Sequence, residues 1–331
     1  MDSITHLALG AALGEAALGR RAGGKAAMWG AVCGAIPDLD VFIPHADAVA
    51  AVTYHRSFSH SLIVLAIFSP LMAWLIRKIH ANPVLKTRDW FWLVLLVFET
   101  HALVDGFTVY GTQLLWPFYD HSFSGSTIFI IDPAYTLPLI AGVFSVLFLS
   151  RQKNAGRYLN YAGLSLSTLY LAWTAAARIY VEDKAVASLQ KQRVAYSELL
   201  STPTPFNSVL WRFVAMAHGG YYEGYYSILD RSDDIKFEFY RDDKALLDGL
   251  RGHWPVRRLQ WFTHGFYSVT QSGNDIVVSD LRMGAEPSYA FRYKVAETGN
   301  PHPRPLLSSF VSGSWQTGQL ERLWRRLKHP R

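Results

Sequence analysis

Hydrophobic residues in the first 180 positions form six runs separated by short polar or charged loops. The last four runs reach or approach the roughly 20 residues that a helix needs to cross a bilayer. The first two runs are shorter and rich in Ala and Gly, which predicts short helices whose backbones pack closely. The pattern predicts about six membrane helices, with four full spans and a helical hairpin as the alternative. The runs cover residues 4–19, 26–36, 58–76, 90–106, 134–150 and 158–179.

The pattern changes after residue 180. A polar connector that is expected to be helical, 182–200, leads to a Thr/Pro-rich turn at 201–205. Short alternating runs rich in Tyr, Phe, Trp and Val follow, and these predict antiparallel strands. The runs lie at 208–216, 221–229, 235–240, 258–270, 275–279 and 289–295. The predicted organisation is a membrane-embedded helical domain (1–180) that carries the site, a connector (181–205), a small β-rich extramembrane domain (206–300) and a basic tail (301–331).

Composition supports a chain that is half membrane protein and half soluble domain. Half of the residues are hydrophobic, and the mean hydropathy is +0.09. The net charge of +6 comes from basic residues dispersed over short loops and the tail, where Arg322, Arg325, Arg326, Lys328 and Arg331 lie. This distribution fits anionic lipid headgroups better than a nucleic acid. Membrane lipids are therefore the expected partners, nucleic acid is not, and the oligomeric state stays open.

Loop charges orient the predicted helices. Loops 20–25, 77–89 and 151–157 are rich in Lys and Arg, whereas 37–57 contains only Arg56 and 107–133 contains none. The positive-inside rule puts the basic loops in the cytoplasm, so the other loops, the N-terminus and everything after residue 180 lie outside. Because the start of the chain lacks a basic region and a cleavage signal, no signal peptide is expected.

Seven His and Asp residues lie at the ends of the apolar runs, and this orientation puts all seven on one outer face. They are His6, Asp38, Asp40, His55, His60, His101 and Asp105. Ionisable side chains at membrane depth are costly and are therefore functional candidates. The chain has a single cysteine, Cys33, so a metal must use His and carboxylate ligands.

Spacing ranks these residues. His101 and Asp105 are four residues apart, so on a helix they share one face and can meet one metal ion. The alternative is a buried His–Asp hydrogen bond that locks two helices. Asp38 and Asp40 follow the helix-breaking Pro37 and can chelate one ion or bridge two. An ordinary polar loop is the alternative there.

The segment from His55 to His60 opens the third run. Ser57 is predicted to be the N-cap of the following helix, which places His60 in the first turn and His55 in the preceding loop. His55 can act as a ligand or as a general acid/base, and Arg56 can hold an anionic substrate group. A snorkelling interfacial arginine is the alternative for Arg56, and an ordinary interfacial histidine is the alternative for His6.

These motifs resemble those of the YdjM-like inner-membrane proteins, which are regarded as metal-dependent hydrolases. The resemblance covers about residues 1–180, and the C-terminal β domain looks like an extension of longer members. It implies a membrane-embedded hydrolase whose substrate is poorly defined even within the family. The ligand types are also similar to those of zinc-dependent phospholipase C enzymes, an analogy that implies no common fold. The matching residues are Thr5-His6, Pro37–Asp40, His55–Ser61, His101–Asp105, Thr108, Gly111 and Leu115–Pro117.

The functional hypothesis is metal-assisted hydrolysis of a lipid or phosphoester at the outer face of a bacterial inner membrane. One or two divalent ions, most simply zinc, would lower the pKa of bound water to about 7. His60, His101 and Asp105 are the expected core ligands, with Asp38, Asp40 and His6 completing the set. His55 and Arg56 are the expected catalytic residues, and Asp132 and His121 are second-tier candidates.

Two other functions fit the same residues. A metal or proton transporter would use intramembrane His and Asp as relays, although it would more naturally place charges in mid-helix. A non-catalytic regulatory or scaffold protein would bind partners through its β domain and use the His–Asp pairs to link helices. For the β domain, docking onto the membrane surface is favoured over capping the site.

Overall fold

The computed structural model describes residues 1–81, 83–149, 154–312 and 317–330. The chain divides into two compact units. The helical unit comprises Met1–Ile43, His55–Ala175 and Pro205–Asn207. The β unit comprises Pro44–Tyr54, Ala176–Thr204 and Ser208–Arg331. The boundary that the sequence suggested, at residue 180, falls inside a helix that contributes residues to both units.

Each of the six apolar runs contains a helix, so the first half of the chain is helical, as predicted. Within the described residues, α4 alone is long and apolar enough to cross a membrane, and α6 is apolar but shorter. The six-helix membrane arrangement therefore stays a prediction. The helices here are α1 (Ser3–Ala22), α2 (Gly24–Ala35), α3 (Ala48–Tyr54), α4 (Leu62–Ile79), α5 (Thr87–Asp105), α6 (Pro133–Phe148) and α7 (Ala155–Lys191). Short 3₁₀ turns span Pro37–Phe42 and Phe58–His60.

Glycines bring α1 and α2 into backbone contact. A Cβ on Gly10 would overlap the carbonyl oxygen of Gly30, and a Cβ on Gly14 would overlap that of Ala26. Gly34 lies against the carbonyl of His6 in the same way. Small residues at four-residue spacing permit such close approach. The Ala/Gly-rich composition of the first two runs thus has the structural consequence that the sequence predicted.

Helix α4 begins later than the sequence suggested. It starts at Leu62, and its N-cap is Ser61, whose hydroxyl accepts a hydrogen bond from the Val64 amide at 3.4 Å. Ser57 instead starts the 3₁₀ turn and makes no side-chain cap bond. The prediction of Ser57 as the cap was wrong because Ser61, four residues later, satisfies a free amide of the first turn. His60 consequently lies in the turn before the helix.

The C-terminal half is an antiparallel β region, as predicted. Two four-stranded sheets have the orders β1-β2-β3-β4 and β10-β9-β6-β5, and β7 pairs with β8. The strands are β1 (Glu198–Pro203), β2 (Leu210–Ala217), β3 (Gly220–Ser227), β4 (Phe237–Arg241), β5 (Tyr267–Ser272), β6 (Asp275–Asp280), β7 (Gly284–Ala285), β8 (Ser288–Tyr289), β9 (Arg292–Glu297) and β10 (Arg304–Phe310). Helices α8 (Trp254–Phe262) and α9 (Thr317–Lys328) complete the unit.

Three stretches of this half differ from the structure that the sequence predicts. The run 258–270 is divided between α8 and β5, because Val256, Leu259 and Phe262 recur at helical spacing and form a buried face. The connector is helical only as far as Lys191 and then forms β1. The tail contains strand β10 as well as α9.

The core of the β unit includes a segment from the first third of the chain. Val49 of α3 is fully buried in one cluster with Leu259 of α8 and Val278 of β6. Its backbone amide donates a 2.9 Å hydrogen bond to the hydroxyl of Ser308 in β10. Residues 44–54 therefore belong to the β unit although helical-unit residues lie on both sides of them in the sequence.

Candidate metal centre

Four of the predicted site residues meet at one point of the helical unit. The Nε2 atom of His60 lies 3.1 Å from Nε2 of His101, 3.3 Å from Oδ1 of Asp38 and 3.2 Å from Oδ2 of Asp105. Nε2 of His101 lies 3.6 Å from each of the two carboxylates. These side chains are buried except for that of Asp38, which is 15% exposed. Helix α5 supplies His101 and Asp105 from one face, and the two 3₁₀ turns supply the others.

His6 completes the group from α1. Its Nε2 atom lies 3.1 Å from Oδ1 of Asp105, and its ring stacks on that of His101 at 3.6 Å between centroids. One ligand atom each from His6, Asp38, His101 and Asp105 lie within 4.8 Å of one another. The contact of α1 with α2 positions this histidine, because Gly34 packs directly against its carbonyl.

Hydrogen bonds on the outer side of the two imidazoles fix their tautomers. Nδ1 of His101 lies 2.8 Å from the carbonyl oxygen of Gly34, which can only accept, so Nδ1 carries the proton. Nδ1 of His60 lies 2.9 Å from the Ser59 hydroxyl, which itself donates to Asp40 at 2.5 Å. Nδ1 of His60 is therefore also a donor. Both Nε2 atoms then present lone pairs to each other.

This arrangement fits a divalent cation. Two lone pairs 3.1 Å apart repel each other unless a positive charge lies between them. Within the described residues, Oδ2 of Asp105 is buried and has no hydrogen-bond partner. Metal-ligating histidines characteristically donate their other ring N–H to a carbonyl or a polar group, as both do here. The His/Asp cluster can therefore hold a metal ion.

The electrostatics of the two turns keep the imidazole neutral and the carboxylate charged. Burial lowers the pKa of His60 to about 3, so its ring is neutral at physiological pH. Burial alone would raise the pKa of Asp40, but hydrogen bonds from His55 and Ser59 bring it below its usual value. A neutral imidazole is the form that binds metals.

Asp40 and His55 lie beside the cluster rather than in it. Nδ1 of His55 lies 2.7 Å from Oδ1 of Asp40, and the backbone amide of Arg56 donates to Oδ2 at 3.1 Å. With the Ser59 bond, both carboxylate oxygens already accept hydrogen bonds. Ligation of a metal by Asp40 therefore stays a prediction, and in the structure this residue contacts His55 directly and His60 through Ser59.

Arg56 is buried rather than extended toward a membrane surface. Its Nη1 atom lies 3.2 Å from the Thr108 hydroxyl, and its Nη2 atom lies 3.4 Å from Oδ1 of Asp105. The guanidinium lies over the ring of Tyr110 at 4.9 Å. The snorkelling alternative does not describe this side chain, which places a permanent positive charge next to the cluster.

The second-tier candidates lie outside the cluster. Asp132 caps α6, accepting a hydrogen bond from the Ala134 amide at 2.9 Å, and it also accepts one from the Tyr170 hydroxyl at 2.8 Å. The ring of His121 packs against those of Tyr119 and Phe123.

The sequence assigns no site role to several groups that contact the cluster or its ligands. They are Ser59, Thr108, the Gly34 carbonyl and the α-amino group of Met1, which pairs with Asp105. Ser59 was open to discovery because it lies between two flagged histidines. A backbone carbonyl leaves no signal in the sequence.

Comparison with known proteins covers the same part of the chain. A family model described as YdjM inner membrane protein matches residues 1–180, which contain every residue of the cluster. The uncharacterized protein YfhP of Bacillus subtilis (strain 168) is 29% identical over 150 residues, which are 43% of this chain and 45% of that protein. The chain thus spans less than half the length of this relative. No solved structure matches the chain.

Proposed function

The chain belongs to the YdjM inner membrane protein family, and on that premise we propose that it is a membrane-bound, metal-dependent hydrolase of a phosphoester. The observation that carries the proposal is the convergence of two imidazole lone pairs and two carboxylate oxygens on one point. A purely structural pair of histidines would share a proton between the rings, and here the protons are held on the outer nitrogens.

The donor set supports zinc as the ion. Zinc binds His nitrogen and carboxylate oxygen at about 2.0–2.2 Å, mostly in a tetrahedron. Ligand atoms of such a tetrahedron lie about 3.3–3.6 Å apart, since its edge is about 1.63 times the bond length. The five separations given above among His60, His101, Asp38 and Asp105 range from 3.1 to 3.6 Å. The set therefore suits one ion of this size.

A divalent ion held by three of these side chains, with the fourth tetrahedral position open, would supply an acidified water molecule and polarise the bond to be cleaved. The chain itself supplies the positive charge of Arg56, which attracts an anionic ester and stabilises charge that accumulates on it. The guanidinium is held in place by Thr108 and by the ring of Tyr110. A phosphoester is the favoured substrate class because it needs such charge neutralisation.

His55 is the proposed general acid/base. Its Nδ1 bonds to Asp40, which fixes the tautomer and leaves Nε2 free to exchange a proton with the leaving group. Its side chain is 23% exposed, so that a substrate can reach it, whereas those of His60 and His101 are enclosed. In this assignment Asp40 is a positioning residue that acts through His55.

Location in the membrane is part of the same proposal. We assign a multi-pass protein in a bacterial inner membrane, with the site and the β unit outside the cytoplasm and membrane lipids as partners. The support is the difference in Lys and Arg content between alternate loops. Arg151 and Lys153 of the basic loop 151–157 and Arg331 of the tail lie outside the described residues. Reporter fusions after residues 50 and 83 should report opposite sides of the membrane.

The experiment that tests the function begins with the metal. We expect about one zinc per purified chain by elemental analysis, and loss of that zinc in a His101→Ala/Asp105→Ala variant. A Leu307→Ser variant, at an exposed position of the β unit, serves as the matched control and should keep the metal. Turnover is then measured on a panel of soluble phosphoesters in detergent.

The competing functions predict other results. A transporter would bind metal, carry it into liposomes and hydrolyse nothing. A scaffold protein would lack stoichiometric metal, or would retain it in the double variant. Either result overturns the proposed function.

A further inference from the structure

The two turns that carry the cluster also expose hydrophobic side chains. In the turn Pro37–Phe42, Asp38 and Asp40 face the site, whereas Leu39, Val41 and Phe42 are exposed, Phe42 to 80%. Leu39 lies between the two carboxylates in the sequence. The apolar residues are thus held next to the cluster by the same turn that holds its ligand.

A second set of exposed hydrophobic residues lies next to the turn that carries His60. The segment 113–116 is tied to both flanks of His60: the Gln113 amide donates to the Arg56 carbonyl, and the Leu62 amide donates to the Leu114 carbonyl, each at 3.0 Å. Beside this segment, Phe58, Leu115 and Phe118 are exposed, Phe118 to 83%. We call the two sets together the apolar rim: Leu39, Val41, Phe42, Phe58, Leu115 and Phe118.

The position of the rim relative to α4 indicates what covers it. His60 precedes by two residues the one described helix that is long and apolar enough to span a membrane. The 18 residues of α4 rise about 27 Å along the helix axis, close to the thickness of the hydrocarbon core. A helix of this length that spans a bilayer begins where the hydrocarbon meets the headgroups, and the rim residues next to its start would then lie at that level.

Charge points in the same direction. Of the Lys and Arg residues, loops 37–57 and 107–133 contain only Arg56, which is buried in the site. The rim therefore offers no exposed cation to bind an anionic headgroup. Contact with a bilayer must come from insertion of apolar side chains, which salt does not screen.

We propose that the apolar rim enters the bilayer surface and that the substrate is a phospholipid-type amphiphile, taken directly from the membrane rather than from water. This inference rests on the proposed hydrolytic function and names its substrate class. The acyl chains remain in the lipid beside the rim, while the phosphoester lies at headgroup depth, where the cluster and Arg56 are.

The first test compares lipid with soluble substrate in the full-length protein, reconstituted in zwitterionic vesicles. Phosphatidylcholine, phosphatidylglycerol and phosphatidic acid in the vesicles are the lipid probes, and bis(p-nitrophenyl) phosphate is the soluble probe. Wild type should turn over at least one lipid faster than the soluble ester. Phe42→Ser should lower the lipid-to-soluble ratio about tenfold, the loss expected when one aromatic side chain is no longer buried. The equally exposed Leu307→Ser should leave the ratio as it is.

The second test measures insertion without any turnover. Cys33, the one cysteine of the chain, is buried, so a cysteine introduced by Phe118→Cys is labelled selectively with an environment-sensitive fluorophore. The label should shift to an apolar emission in phosphatidylcholine vesicles and keep that shift in high salt. The same label in Leu307→Cys should report water.

The outcomes separate the two proposals. Three results overturn the inference and leave the proposed hydrolase function intact. They are hydrolysis of the soluble ester but of none of the lipids, an unchanged lipid-to-soluble ratio in Phe42→Ser, and a water-exposed label at position 118. A metal-loaded protein that turns over neither class of ester refutes the hydrolase and the substrate assignment together. In that case the label still decides whether the rim enters the bilayer.

Discussion

Replacing Gly34 by alanine tests how the packing of α1 on α2 positions the His/Asp cluster of the candidate metal centre. The new methyl group would overlap the carbonyl oxygen of His6, and the Gly34 carbonyl oxygen accepts a hydrogen bond from Nδ1 of His101, 2.8 Å away. The helices must separate to admit the methyl group. We expect His101 to lose the hydrogen bond that keeps its Nε2 directed at the cluster.

The size of the effect follows from these two contacts. Forcing a methyl group into a close-packed contact costs about 1–3 kcal/mol, and losing the ring hydrogen bond costs about 0.5–1.5 kcal/mol. Partners that orient a metal ligand change metal affinity by about 10–100-fold when they are lost. Gly34→Ala should therefore lower both the thermal midpoint and the zinc affinity, the latter measured by competition with a fluorescent chelator.

Gly14→Ala is the matched control. It creates the same overlap between α1 and α2, against the carbonyl of Ala26, but eight residues along α1 from His6. Eight residues of helix correspond to about 12 Å. This variant should lose stability and keep its zinc affinity. If both variants lose zinc equally, or if Gly34→Ala binds zinc like wild type, then the Gly34 carbonyl does not orient His101.

Three further predictions follow from single contacts. Ser59→Ala removes the hydroxyl that accepts the Nδ1–H hydrogen bond of His60, and zinc affinity in the chelator competition should fall about tenfold. An unchanged affinity would mean that Ser59 does not orient His60. His55→Gln should keep the metal by elemental analysis while turnover falls about 10²–10⁴-fold, and a loss of metal would instead make it a ligand. Arg212→Met removes the charged partner of the buried Glu223 carboxylate and should destabilise the β unit by about 3–5 kcal/mol, seen as a lower denaturation midpoint. The double variant Arg212→Met/Glu223→Met should recover most of that loss, and failure to do so would mean that packing, not charge, dominates.

The parts of the structure governed by local rules could be predicted from the sequence. Six apolar runs predicted helices where helices occur, and the four-residue spacing of His101 and Asp105 put both on one face of α5. The alternating runs after residue 207 predicted antiparallel strands. Each of these inferences depends on side-chain periodicity within one element, which the sequence carries directly.

The remaining features depend on contacts between distant segments. The partners of Asp40 come from residues 15 to 19 positions away, and the Gly34 carbonyl meets a histidine 67 positions away. Sequence spacing does not predict these contacts, because the fold brings together residues that are far apart in the chain. The placement of residues 44–54 in the β unit was hidden for the same reason. The apolar residues of this segment are too few to show from the sequence which hydrophobic core they join.

The placement of residues 44–54 in the β unit has a consequence for the order in which the chain folds during synthesis. Asp40 and His55, which hydrogen-bond to each other, form the two stems of a loop whose middle, including Val49, folds with residues near 259, 278 and 308. A ribosome delivers Val49 some 259 positions before Ser308, the partner of its amide. The middle of this loop can therefore make its final contacts only after almost the whole polypeptide has been synthesised. The segment between Asp40 and His55 therefore reaches its final structure late, and a half-synthesised chain does not yet have this loop in its final form.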